Sequence, residues 1–96
     1  MKAIRVNEFG GPEQLRLEDI DDPHAGPGQV LVKIHAVGIN PVETYIRTGT
    51  HALKPELPYT PGHDGAGEIV EVGGDVAGLS VGDRVYTSRT LTGTYA

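Results

Sequence analysis

Apolar and polar residues alternate along most of this chain, in short runs broken by glycine and proline. Lys2 to Val6 puts Ile4 and Val6 on one face with Lys2 and Arg5 at the margins, and Leu15-Arg16-Leu17-Glu18 alternates as a half-buried strand does. Gly10, Gly11 and Pro12 supply a turn between them, so the two runs are expected to form a hairpin or adjacent strands. Gln29 to Gly38 is the longest strand candidate, with Val30, Val32, Ile34 and Ala36 as its core face. Leu31, Lys33, His35 and Val37 fall on the other face, where His35 is expected to meet solvent. Glu68 to Val72 and Arg84 to Thr87 read as two more strands, and Thr94-Tyr95-Ala96 as the start of another.

The period changes once, over Asn40 to Gly49. Asn40 is a good N-cap, Pro41 suits the first helical position, Glu43 falls at N3 as in a capping box, and Gly49 is the expected stop. Val42, Tyr45 and Ile46 share a face of this short helix, so Tyr45 is expected to point inward and Glu43, Thr44 and Arg47 mostly outward.

The rest is connection. Residues 19–29 are acidic and rich in Pro and Gly, which predicts a surface loop; Pro55 and Pro58 make 50–60 an irregular link; 73–82 is turn-rich, with Gly82-Asp83 setting the register of the strand after it. The centre of the chain is PGHDGAGEIVEVGGDV (61–76). Pro61-Gly62 is a turn signal, and Gly65, Ala66 and Gly67 leave almost no side chain over three positions, as a backbone requires where another backbone or a flat ligand comes close. A bend is expected there, with the strand beginning at Glu68. Short strands separated by Gly/Pro turns, with one short helix, predict a mainly β fold: a partly open antiparallel barrel in a single domain, 1–96.

Composition narrows the functions. Thirteen acidic against eight basic residues give a net charge of −5, which disfavours nucleic acid and an anionic membrane surface as partners. No apolar run approaches the roughly 20 residues needed to span a bilayer, and MKAIRVNEFG reads as a strand rather than a leader, so a cytoplasmic soluble protein is expected. Cysteine is absent, which removes disulfides and thiolate metal ligands. The four histidines, at 24, 35, 51 and 63, show no metal-ligand spacing. His63 is expected to hydrogen-bond within its turn, with Asp64 orienting it or capping nearby amides. No G-x-G-x-x-G fingerprint is present: Gly65-Ala66-Gly67 has Val70 at the third position and runs into a strand.

Gly62-His63-Asp64-x-x-Gly67-x5-Gly73-x-x-Val76 resembles the Gly-His-Glu signature of the medium-chain dehydrogenase/reductase superfamily, with Asp64 in place of glutamate. Phe9-Gly10-Gly11-Pro12-Glu13, GINPVETYIRTGT (38–50), LPYTPG (57–62) and VGDRVYTS (81–88) are similar to one branch, the zinc-free NADPH:quinone oxidoreductases, or zeta-crystallin-like proteins. The resemblance covers nearly the whole chain but only the start of such an enzyme. It implies a GroES-like substrate domain, with the nucleotide-binding Rossmann domain absent from this chain and most contacts to NADPH lying outside it.

The resemblance also assigns roles. On pattern alone Asn40 is a helix cap and Tyr45 a core aromatic; the resemblance implies that both line the cleft where nicotinamide and quinone meet, making them candidates for catalysis and cofactor binding. There the phenol offers a flat face and a hydroxyl, and the amide a neutral polar group. His51 stands where the branch often has a second tyrosine, and reads either as a proton donor to a reduced quinone oxygen or as a solvated loop residue. In the zinc-dependent relatives the position of Asn40 is a cysteine ligand and that of His63 a histidine ligand; with one lost, no metal is expected. The implied function is reduction of a quinone or enone by NADPH, the chain alone being inactive. Two other readings remain open. One is a fragment of a zinc-dependent alcohol dehydrogenase. The other is a non-catalytic β-domain that binds a partner or forms a homo-oligomer through an unpaired edge at 94–96.

Overall fold

The computed structural model describes every residue except 53 and 89. Leu53, within the predicted irregular link, therefore lies outside the described residues. The elements are β1 (Lys2–Arg5), a 3-10 turn (Pro12–Gln14), β2 (Arg16–Asp19), β3 (Val30–Val37), α1 (Pro41–Thr48), β4 (Gly65–Val72) and β5 (Arg84–Thr87). β1 and β2 form an antiparallel pair, and β3, β4 and β5 an antiparallel sheet with β4 in the middle. The architecture is the mainly β, one-helix arrangement that the turn spacing predicts.

Four departures have physical causes. β4 begins at Gly65, not Glu68, because the small residues serve pairing rather than a bend. Gly65 stands opposite Val37 and Thr87, Ala66 opposite Ala36 and Tyr86, and Gly67 opposite Ile34 and Val85. A Cβ on Gly67 would lie 1.9 Å from the main-chain oxygen of Lys33, so the absent side chain is what lets β3 cross this closely. Second, Ala36 is exposed although it belongs to the predicted core face; the register between β3 and β4 shifts between Ile34 and Ala36 and breaks the alternation. Third, Leu17 is 67% exposed, because β2 pairs only with β1 and nothing among the described elements covers that face.

The fourth departure concerns the chain's last residues, which read as the start of another strand and which one of the open readings leaves as an unpaired edge. The N–H groups of Thr94 and Tyr95 donate to Gly62 and Pro61, and Ile4 N–H donates to the Tyr95 carbonyl at 2.8 Å. The edge is thus closed by β1 and the 61–62 turn. Thr94 is buried, and with Ala3, Val6, Ile46 and Ile69 it marks where the small aliphatic core sits. Val6 and Tyr59 exchange two main-chain hydrogen bonds, which tie β1 to the 57–62 segment. His35 meets solvent as expected, its ring 3.7 Å from the Glu68 carboxylate.

α1 is built from its caps. Asn40 is extended (φ −121°, ψ 146°), and Gly49 takes the left-handed conformation (φ 81°) that ends the helix at low cost. Arg47 fixes the far end, its Nε and carbonyl bonding the carbonyl and N–H of Gly10.

Candidate functional site

The polar residues that could act on a ligand gather where the start of α1 meets the turn before β4. The main-chain N–H of Asn40 donates to Glu43 Oε2 at 3.0 Å, and the Glu43 N–H donates back to the Asn40 carbonyl at 3.0 Å. The side-chain Nδ2 of Asn40 donates to Asp64 Oδ2 at 2.7 Å. A carboxylate only accepts, so this contact turns the NH2 toward Asp64 and leaves the amide oxygen on the opposite side. Asp64 therefore orients Asn40, not His63. Asp64 is exposed, so Asp64→Ala is expected to shift stability by about 1 kcal/mol or less. The same change should release the Asn40 amide, read as faster rotation of its side-chain NH2 group by NMR.

Glu43 reverses its predicted direction: it is only 5% exposed. The cause is 52 residues away, where the Tyr95 hydroxyl donates to Glu43 Oε2 at 2.5 Å. The buried side of α1 thus carries Glu43 and Ile46, rotated about one residue from the expected Val42/Tyr45/Ile46 face, at roughly 100° per residue. That rotation turns Tyr45 outward, and it is 55% exposed instead of buried.

Burial pushes the Glu43 carboxyl up. The hydrogen bonds from Tyr95 and from the Asn40 N–H outweigh it, with help from the Asn40 side chain and the His63 main chain, and hold the group below its ordinary 4.5. The Tyr95 phenol is pushed up to about 12, first by burial, then by its hydrogen bond to Glu43 and that residue's charge. The linkage signs are opposite. Glu43 contributes stability that is present above 4.5 and lost as the pH falls through its folded value; Tyr95 contributes stability that is complete below 10 and lost as the pH rises toward 12. Urea midpoints are expected to fall on both sides of neutrality, and Tyr95→Phe should flatten the alkaline fall.

Beside these residues runs a groove of about 480 Å³, walled by Glu43, Ile46 and His63 and by parts of segments 55–62 and 90–93. Asn40, Tyr45 and His51 do not line it. Contrary to expectation, the His63 ring has no partner in its turn: Nδ1 is buried without a hydrogen bond among the described residues, while the His63 carbonyl accepts from the Thr87 hydroxyl. His51 is half-buried two residues past the helix cap. Asn40 is integrated into the polar cluster through Asp64 and Glu43, while the Tyr45 side chain is exposed. Asn40 and Tyr45 stand five positions apart, roughly 7.5 Å along a helix axis, so they address different parts of whatever binds. Among the described residues no three His, Asp or Glu side chains come together as metal ligands, and no helix is long and apolar enough to cross a membrane.

Two small antiparallel sheets, a single capped helix and a polar cluster at its start define a GroES-like β domain. The chain belongs to the alcohol dehydrogenase GroES-like domain family, whose model matches residues 26–95. It is 58% identical to a quinone oxidoreductase of Homo sapiens over 97 aligned residues, which cover all of this chain and 30% of that protein. A NAD-dependent alcohol dehydrogenase of Sulfolobus acidocaldarius is 44% identical over 90 residues, 88% of this chain and 26% of that protein. Among solved structures, the quinone oxidoreductase of Escherichia coli complexed with NADPH superposes with a TM-score of 0.88 at 32% identity, covering 96% of this chain and 28% of that one. The chain thus spans about 30% of the length of the quinone oxidoreductases it matches.

Proposed function

We propose that this chain is the N-terminal, substrate-side domain of a reductase that moves a hydride from NADPH to a quinone or related enone without a metal ion. The observation that carries the reading is the Asn40 amide, held by Asp64 at the start of α1 with the exposed Tyr45 phenol on the same helix. The resemblance to quinone oxidoreductases, one of them complexed with NADPH, supports the choice of substrate and cofactor.

NADPH supplies the hydride; what the chain supplies is orientation. Asn40, locked by a charge-assisted hydrogen bond, presents a fixed amide edge to a polar ring substituent and loses no rotamer freedom on binding. Tyr45 offers its ring face to a flat acceptor and its hydroxyl to a carbonyl oxygen. His51 is assigned the proton transfer that completes reduction. A neutral amide at position 40, in a chain without cysteine, suits a reaction that needs no metal. The dinucleotide fingerprint is missing from these residues, so the isolated chain is expected to show no NADPH oxidation.

The test grafts this chain in place of the corresponding region of the Escherichia coli quinone oxidoreductase and follows NADPH oxidation with 1,4-benzoquinone. Asn40→Ala and Tyr45→Phe should each lower kcat/KM by about tenfold or more. A graft that turns over at the same rate with both substitutions would overturn the assignment.

A further inference from the structure

The main chain around Asp64 is tied down from both neighbouring strands. Thr87 ends β5 and stands opposite Gly65, the first residue of β4. Its hydroxyl accepts from the Gly65 N–H at 3.0 Å and donates to the His63 carbonyl at 3.0 Å. One oxygen atom thus bridges the residues on either side of Asp64. A hydroxyl carries a single proton, so giving it to His63 fixes the rotor and leaves the lone pairs for Gly65.

From the β3 side, the Gly38 N–H donates to the Asp64 carbonyl at 2.9 Å. Gly38 also leaves the space that the carboxylate uses: a Cβ there would lie 3.1 Å from the Asp64 Cβ and 3.5 Å from Oδ2, the oxygen that accepts from Asn40. The Asp64 side chain is exposed, so packing does little to aim it. Its direction comes from the main chain that carries it, and that main chain is held by Thr87 and Gly38. We propose that Thr87 is a positioning residue for the candidate site: its hydroxyl fixes the main chain at 63–65, which aims the Asp64 carboxylate at the Asn40 amide and sets the edge that the amide presents to a ligand. Thr87 acts here only through Asp64. The inference rests on the assignment of Asn40 to the site.

The test compares Thr87→Val, which keeps the β-branched shape and loses the hydroxyl, with Thr87→Ser, which keeps the hydroxyl. In the 96-residue chain, Thr87→Val should speed rotation of the Asn40 side-chain NH2 group by about threefold or more, toward the rate in Asp64→Ala, and Thr87→Ser should restore the slow rate. Combined with Asp64→Ala, Thr87→Val should change that rate no further. A threonine that merely finished the sheet would lower the urea midpoint and leave the Asn40 NH2 group as it was. One readout needs no variant: in the parent chain the Thr87 hydroxyl proton should exchange slowly enough with water to be seen by NMR. In the graft onto the Escherichia coli quinone oxidoreductase, Thr87→Val should lower kcat/KM severalfold and Thr87→Ser should recover it. Unchanged Asn40 rotation in Thr87→Val, no recovery in Thr87→Ser, an effect additive with Asp64→Ala, or a parent hydroxyl proton in fast exchange would each overturn the proposal. If the rotation responds as expected while the graft is indifferent to Asn40→Ala, the catalytic assignment of Asn40 fails and the Thr87 clamp stands.

Discussion

Gly67→Ala is expected to destabilise the domain by about 3 kcal/mol, a large effect for one added methyl group. The added Cβ would sit 1.9 Å from the Lys33 oxygen and 2.8 Å from the carbon that bears it. Both are main-chain atoms of β3, so no side chain can swing aside; the strands must separate where Gly67 pairs with Ile34. β4 is the middle strand and carries Ile69, one of the fully buried core residues, so separation on one side loosens the whole three-stranded sheet. In a small domain held by about 5–15 kcal/mol, that loss is a large fraction of the total. The check is the urea midpoint against Gly74→Ala, where an added Cβ meets nothing within 4 Å and stability should change little. A Gly67→Ala midpoint equal to the parent's would mean that the close crossing is not real.

Glu43→Ala should cost about 2–3 kcal/mol, although the substitution improves helix propensity. The reason is what it abandons. The Tyr95 hydroxyl and the Asn40 main-chain N–H both donate to Glu43 Oε2, and both lose their acceptor. Tyr95 ties the chain's last residues to α1, while its main chain bonds Pro61 and β1, so the damage spreads from the helix to the N-terminal pair. Glu43→Gln keeps an acceptor and should cost less. Tyr95→Phe removes only one bond, and the double-mutant cycle between Glu43→Ala and Tyr95→Phe should show a coupling of about 1 kcal/mol or more. A coupling near zero would show that the contact holds nothing.

The residues that made the fold legible are those whose conformations are local. Asn40, Pro41 and Gly49 bracket the helix because caps and left-handed stops are properties of single positions, and the alternation at Val30, Val32 and Ile34 marks β3 for the same reason. What escaped depends on partners distant in sequence. Glu43 looks like a surface residue until Tyr95, 52 positions later, folds over it. Tyr45 turns outward as a consequence, which no helical wheel of α1 alone can indicate. Gly65-Ala66-Gly67 carries the right signal, close approach of another backbone, but low β-propensity hides that the approach is strand pairing. In the site, Asn40 was accessible from its segment, whereas Asp64 as its clamp was not, because 24 residues and a strand crossing separate them.

The measurement that bears most directly on the central claim is an amide and side-chain NMR titration of the chain with NADPH and then with duroquinone. Shifts centred on the Asn40 side-chain NH2, the Tyr45 ring and the 61–67 turn are the expected result. A well-dispersed spectrum in which those groups stay fixed while other residues move would contradict the assignment of Asn40 and Tyr45 to the place where cofactor and substrate meet.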